Sequence, residues 1–169
     1  MMPGSGQIKA HAARTTCLNG HGSLTGRRPA MINILASVRR PFSGQILSGE
    51  KTWELRKSFP YKYYYEKLIV WLYESRKGGE RAIIGKCVLR TIWDIREDIS
   101  YCFTREILEK ACVTYDLLKS YAPNYVWEFS SPVSLPSPVP LSAIGMTRPP
   151  QSWQYLTDEQ AAILERRLA

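Results

Sequence analysis

Three charged residues that stand close together offer the clearest chemistry in this sequence. Lys51, Glu54 and Arg56 follow the turn residue Gly49 in a short segment that alternates like a strand. Side chains two residues apart in a strand point the same way, so Glu54 and Arg56 share a face. An ammonium and a guanidinium beside a carboxylate can bind a phosphate, read a base edge or transfer protons.

The same three residues also have structural interpretations. Lys51 could be a solvated lysine at the end of a strand. Glu54 and Arg56 could form an ion pair that stabilises the fold, and for Glu54 we favour this interpretation. Lys51 and Glu54 could instead act as a general acid and base if burial shifted their pKa values, which a sequence does not reveal.

A second group combines positive charge with aromatic rings. Arg39 and Arg40 precede a proline, Lys57 follows Arg56, and the loop FPYKYYYEK comes next. Phosphates pair with cations while bases stack on rings, so this mixture favours single-stranded RNA, although single tyrosines of the loop could belong to the core. The residues predicted to bind nucleic acid are Arg39, Arg40, Lys51, Arg56, Lys57 and Tyr63.

The elements around the charged residues can be predicted from local patterns. Residues 32–38 are short, apolar and β-prone, as in a first strand. Pro41 begins a brief helix that Gly49 can end, which is the usual placement of these two residue types. Residues 52–57 alternate between apolar and polar side chains, as in a half-buried strand whose polar face carries the carboxylate and the guanidinium.

Later segments predict further strands. Residues 67–74 and 82–92 are both β-prone, and Gly85 interrupts the second as at a β-bulge. Residues 125–129 form another candidate strand. The proline-rich run at 132–140 should be extended and, within a sheet, should lie at an edge, because proline cannot donate to a neighbouring strand.

Helices are predicted between and after these strands. One begins with Thr104 as its N-cap and breaks near Val113 and Thr114. The last begins with a capping box formed by Thr157 and Gln160. Five or six short strands with interposed helices predict an α+β fold, a small mixed barrel with flanking helices.

Length and charge limit the possible classes of function. The chain has 169 residues and a formal net charge of +8, which favours an anionic partner. Residues 1–30 hold four basic and no acidic residues and lack hydrophobic periodicity. We therefore expect a flexible basic leader at 1–30 and one domain at 31–169. The sequence contains no apolar run long enough to cross a membrane.

Histidine and cysteine positions narrow the chemistry further. Both histidines, His11 and His21, lie in the predicted leader, so Ser-His-Asp or Cys-His catalysis and His-ligated zinc are not expected in the domain. Cys87, Cys102 and Cys112 form no closely spaced pair. We predict no metal site, no cofactor and a reducing cytoplasm as the location.

Residues 33–57, NILASVRRPFSGQILSGEKTWELRK, resemble the ASCH family of the PUA-like superfamily. That family has a strand ending near Ser-x-Lys/Arg-x-Pro, a short helix, and then Ile-x-x-Gly-x-Lys-x-x-Glu/Thr-x-Arg. The matching positions are Ser37, Arg39 or Arg40, Pro41, Ile46, Gly49, Lys51, Glu54 and Arg56. The resemblance implies a PUA-like β-barrel with a cleft beside the Gly-x-Lys turn.

The resemblance also implies an association with RNA or modified nucleosides, within a functionally mixed family. Some members look like RNA-binding modules and some have been assigned ribonuclease activity. One subgroup hydrolyses N4-acetylcytidine with a Lys, a Thr three residues later and a Glu from the following helix. Lys51 matches that Lys, Glu54 replaces the Thr nucleophile, and Glu109 is the nearest candidate for the Glu.

Three hypotheses follow. The first is an RNA- or nucleotide-binding module of RNA metabolism or regulation, whose basic cleft takes single-stranded RNA or a modified nucleoside. The second is a hydrolase in the same cleft, a ribonuclease or an amidohydrolase, in which Lys51 and Glu54 would be catalytic. The third is a protein-interaction module on which the basic surface is incidental. The sequence leaves open whether the protein is an enzyme.

Overall fold

The computed structural model describes residues 31–64, 67–75, 78–97 and 100–168. These ranges contain the strands β1 (Ile32–Arg39), β2 (Trp53–Arg56), β3 (Leu68–Ser75), β4 (Ile83–Asp94), β5 (Tyr125–Val139) and β6 (Trp153–Tyr155). They also contain the helices α1 (Phe42–Ser48), α2 (Tyr101–Lys110), α3 (Tyr115–Tyr121) and α4 (Asp158–Glu165). The predicted leader at 1–30 lies outside the described residues.

The described strands form one mixed sheet in the order β2-β5-β4-β3-β1-β6. β1 and β3 pair in parallel, and the other neighbours pair antiparallel. The sheet curves into a half-barrel with the four helices around it, which confirms the predicted α+β, PUA-like architecture. No helix in the described ranges is long and apolar enough to span a membrane.

Alternating apolar side chains build a core on each face of the sheet. Ile34 of β1 packs in one core with Ile46 of α1. Its neighbour Leu35 packs in the other core with Leu164 of α4. Burial of one such side chain contributes about 1.5–3 kcal/mol, so these contacts fix α1 and α4 on opposite faces.

The predicted bulge at Gly85 is confirmed. The register of β4 against β5 shifts between Ile83 and Gly85. A Cβ atom at Gly85 would lie 2.5 Å from the carbonyl oxygen of Val133 and 2.6 Å from Cδ2 of Leu47. Glycine is therefore needed here because a neighbouring backbone and α1 both approach closely.

For the later helices, two predictions about helix ends are confirmed and one is wrong. Thr114 caps α3 after the predicted break, and the capping box of α4 is present. The N-cap of α2 is Ser100 rather than Thr104. The Thr104 hydroxyl instead donates back to the carbonyl of Ser100, so it is a residue of the first turn.

The proline-rich run is the second half of β5, which is longer than predicted. β2 pairs only with Tyr125–Glu128, so residues 130–139 pair with β4 on one side. This half of β5 is a local sheet edge, as the prolines predict. Pro132, Pro136 and Pro138 protect that edge from further pairing, because they offer no N–H group.

β2 differs from its predicted half-buried state, since all four of its residues are buried. Trp53 and Leu55 pack against Phe103 and Ile107 of α2. The opposite, polar face of β2 is covered as well. The Lys51, Glu54 and Arg56 side chains are consequently inside the protein.

Candidate functional site

The turn after α1 directs Lys51 into the protein. Gly49 ends α1 in the left-handed conformation with a φ of 81°. The chain then reverses, and the backbone N–H of Lys51 donates to the carbonyl of Gln45 at 2.9 Å. Gly49 tolerates this conformation because it lacks a Cβ atom.

Lys51 is buried, with only 2 % of its surface exposed, so its interpretation as a solvated lysine is wrong. Its ammonium donates to the carbonyl of Ala111 at the end of α2 and lies 3.3 Å from Oε2 of Glu54. It also lies 4.9 Å from the centre of the Phe42 ring. Burial lowers the pKa of Lys51, and the nearby Glu54 carboxylate partly opposes this effect.

Glu54 bridges the two cations. Its Oε1 lies 3.2 Å from Nη2 of Arg56, which confirms the predicted ion pair, while its other oxygen contacts Lys51. We call Lys51, Glu54 and Arg56 the inner triad. With the lysine protonated, this triad carries one excess positive charge.

Arg56 also joins the two edges of the half-barrel. Nη2 donates to the carbonyl of Ser37 in β1 at 3.0 Å. Nη1 donates to the carbonyl and the hydroxyl of Ser152, just before β6, at 3.2 Å each. The edge strands β2 and β6 are thus connected through a side chain. The Arg56 Nε is buried and has no hydrogen-bond acceptor among the described residues.

Three exposed residues lie near the inner triad, and we call them the outer group. Arg39 ends β1, with its guanidinium carbon 5.6 Å from the centre of the Phe42 ring. Lys57 follows β2, with its ammonium 5.4 Å from the centre of the Tyr121 ring. The third member is Tyr121. Burial raises the pKa of Tyr121; the charges of Arg56 and Arg39 oppose this shift, and that of Glu54 adds to it.

The remaining predicted residues lie elsewhere. Arg40 contacts two carboxylates, with Nε 2.9 Å from Glu74 and Nη2 3.0 Å from Glu80. The side chain of Tyr63 lies outside the described residues. Glu109 is exposed on α2, and its backbone carbonyl accepts a hydrogen bond from the Cys112 thiol.

The sequence therefore predicts the inner triad and two members of the outer group, but not Tyr121. Tyr121 lies in a helical pattern more than 60 residues after the triad. Its position depends on how α3 packs against β2, which local spacing does not indicate. The described residues contain no group of three or more His, Cys, Asp or Glu side chains that could hold a metal ion.

Comparison with known proteins identifies the fold. No family model matches the sequence, and no curated protein matches it. The ASCH protein from Zymomonas mobilis has a similar crystal structure, with a TM-score of 0.65, 20 % sequence identity, and coverage of 79 % of this chain and 94 % of that chain.

Crystal structures of two variants of the same Zymomonas mobilis protein agree. A serine-to-alanine variant gives a TM-score of 0.66 at 21 % identity, over 82 % of this chain and 98 % of that chain. A tyrosine-to-phenylalanine variant gives a TM-score of 0.65 at 21 % identity, over 79 % of this chain and 96 % of that chain. Similarity at this level of identity establishes architecture, and the chain has the ASCH fold.

Proposed function

We propose that the protein binds single-stranded RNA or nucleotides through the outer group and the inner triad. The observation that carries this proposal is the pair of exposed cations, Arg39 and Lys57, beside the buried inner triad, which contains two basic residues and one carboxylate. Phosphates contact the exposed cations, and the inner triad stabilises the nearby part of the ligand. When Lys51 is protonated the triad has one more positive than negative charge, and a bound anion offsets this buried charge.

Ion pairing supports the choice of Arg39 and Lys57. Neither residue forms an ion pair within the described part of the chain. Some other basic side chains are paired with carboxylates, such as Lys86 with Glu165 and Lys110 with Glu106. Cations without carboxylate partners retain their charge for an external phosphate.

Aromatic rings beside both cations support nucleic acid over a simple anion. Arg39 lies against Phe42 and Lys57 lies against Tyr121. Single-stranded RNA presents phosphates and unstacked bases together. The free thiols of Cys87, Cys102 and Cys112 suit the reducing cytoplasm, where we place this binding. A role in RNA metabolism or regulation is part of the proposal.

Fluorescence anisotropy with a labelled single-stranded oligoribonucleotide tests the proposal. The double variant Arg39→Gln/Lys57→Gln should weaken binding about tenfold, since two phosphate contacts are lost. The double variant Arg166→Gln/Arg167→Gln is the matched control, because it removes the same charge after α4, which packs on the opposite face of the sheet from α1. Equal affinities for the two double variants would contradict the proposal.

A second candidate function is hydrolysis at the same site. The observation that favours it is the lowered pKa of the Lys51 ammonium, 3.3 Å from Glu54. In RNA cleavage, Glu54 would accept the proton of an attacking 2′-hydroxyl while Lys51 donates a proton to the departing 5′-oxygen. The products would be a cyclic phosphate and a free 5′-hydroxyl.

Turnover assays separate the two functions. Purified protein is incubated with labelled RNA and, separately, with N4-acetylcytidine, each with and without a chelator. The binding function predicts intact substrate in all four mixtures. Product formation that disappears in Lys51→Met, while the Lys119→Met control retains it, would favour hydrolysis.

A further inference from the structure

Asn124, the residue between α3 and β5 that directly precedes β5, is held against the end of β2 by two hydrogen bonds. The backbone N–H of Asn124 donates to the carbonyl of Arg56 at 3.0 Å. The Asn124 side-chain amide donates to the carbonyl of Lys57 at 2.9 Å. Tyr121 is the last residue of α3, and Ala122 ends the helix with a φ of 46°. Tyr121 is three residues before Asn124, so these bonds keep it near the end of β2, where its ring contacts Lys57.

The Tyr121 ring combines exposure with neighbouring positive charge. The residue is 38 % exposed, and the Lys57 ammonium lies 5.4 Å from the ring centre. The charges of Arg56, Glu54 and Arg39 also act on its hydroxyl. An aromatic ring placed among cations can receive a base while those cations hold the adjoining phosphates.

The other exposed tyrosines in the described ranges have different neighbours. Tyr61 is 61 % exposed and contacts Tyr155, with the ring centres 6.1 Å apart. Tyr115 is 57 % exposed and lies at the opposite end of α3 from Tyr121. Tyr121 is the exposed tyrosine that neighbours both Lys57 and the inner triad.

We propose that Tyr121 is the platform on which one base of the bound RNA stacks. This inference rests on the proposed function and adds a requirement for an unpaired base. It makes Tyr121 a ligand-contacting residue and makes single-stranded RNA a better ligand than duplex RNA. A base within a duplex is already stacked on its neighbours, so it cannot use the ring.

The test uses a short single-stranded oligoribonucleotide that contains 2-aminopurine, whose fluorescence falls when it stacks on a ring. The wild type should quench this fluorescence on binding. Tyr121→Leu should raise the Kd roughly tenfold and abolish quenching, whereas Tyr121→Phe should retain both. Tyr115→Leu is the matched control on the same helix and should bind as the wild type does. Thermal unfolding verifies that each variant is folded.

The possible results separate a failure of the stacking role from a failure of the proposed function. Wild-type affinity in Tyr121→Leu, or an equal loss in Tyr115→Leu, would overturn the stacking role while leaving the proposed function intact. If the wild type binds RNA but quenches 2-aminopurine at no position, the stacking role is overturned without the use of any variant. A wild type that binds no RNA would overturn both the proposed function and this inference.

Discussion

At the scale of single residues, the Glu54 carboxylate holds the two cations of the inner triad together. It lies between the Lys51 ammonium and the Arg56 guanidinium, and all three side chains are almost completely buried. Without it, two cations would face each other in a region of low dielectric constant. The carboxylate therefore has a structural role even though it adjoins the proposed ligand.

The Glu54→Gln substitution should lower the free energy of unfolding by about 3 kcal/mol, because it leaves two buried cations without their shared anion. Glu106→Gln removes the carboxylate of an exposed pair with Lys110 in α2 and should cost about 0.5 kcal/mol or less. Urea denaturation of both variants measures the difference. Equal losses would show that the inner triad behaves like a surface ion pair.

Sequence spacing predicts the partners in the inner triad but not their burial. Alternation in β2 places Glu54 beside Arg56, and their ion pair follows from that pattern. Burial of Lys51 depends on the carbonyl of Ala111, which is 60 residues later in the chain. Such a contact is set by tertiary packing, and for the same reason the sequence does not predict Tyr121.

At the scale of elements, Glu74 fastens the end of β3 to its neighbours. Its carboxylate accepts hydrogen bonds from the Ser43 hydroxyl at 2.6 Å and from the Glu80 backbone N–H at 2.7 Å, and it pairs with Arg40 at 2.9 Å. Burial alone would raise the pKa of Glu74, but these hydrogen bonds and the Arg40 charge lower it below its usual range.

This lowered pKa predicts a loss of stability in acid. A carboxyl whose pKa is lower in the folded than in the unfolded state stabilises the fold above the unfolded value, and this contribution disappears as the pH falls through the folded value. The wild type should therefore lose stability relative to Glu74→Gln as the pH falls below about 4.5. Thermal unfolding across the acid range measures this difference. Parallel curves for the two proteins would contradict it.

Two glycine substitutions should change stability in opposite directions. Gly85→Ala places a Cβ atom 2.5 Å from the carbonyl oxygen of Val133 and should cost about 2 kcal/mol. Gly44→Ala in α1 meets no atom within 4 Å and should stabilise the protein by about 0.5–1 kcal/mol, because alanine favours helix. Calorimetric unfolding measures whether each substitution raises or lowers the stability. A stabilising Gly85→Ala would show that the bulge does not require glycine.

Local patterns predict these elements with differing success. The apolar runs of β1 and β3 and the proline and glycine around α1 are strong local signals, so those elements are found where expected. The burial of β2 is not predicted, because its polar face is covered by elements distant in sequence. Ser100 and Thr104 can both cap a helix, and local sequence does not choose between them.

At the scale of the whole molecule, curvature of the sheet places the proposed site where its two edges meet. Arg56 connects β2 to Ser37 and Ser152, and the Trp153 indole N–H donates to the Ser58 hydroxyl at 3.0 Å. The closure of the half-barrel and the charged site thus share one guanidinium. For this reason Arg39 and Lys57, which are exposed, are better probes of ligand binding than Arg56.

The salt dependence of RNA affinity tests the central claim most directly. Each phosphate that a cation neutralises on single-stranded RNA contributes about 0.7 to the slope of log Kd against log salt. Arg39→Gln/Lys57→Gln should therefore reduce the wild-type slope by about 1.4, whereas Arg166→Gln/Arg167→Gln should leave it unchanged. If Arg39→Gln/Lys57→Gln keeps the wild-type slope, or if both double variants reduce it equally, then RNA phosphates do not contact Arg39 and Lys57.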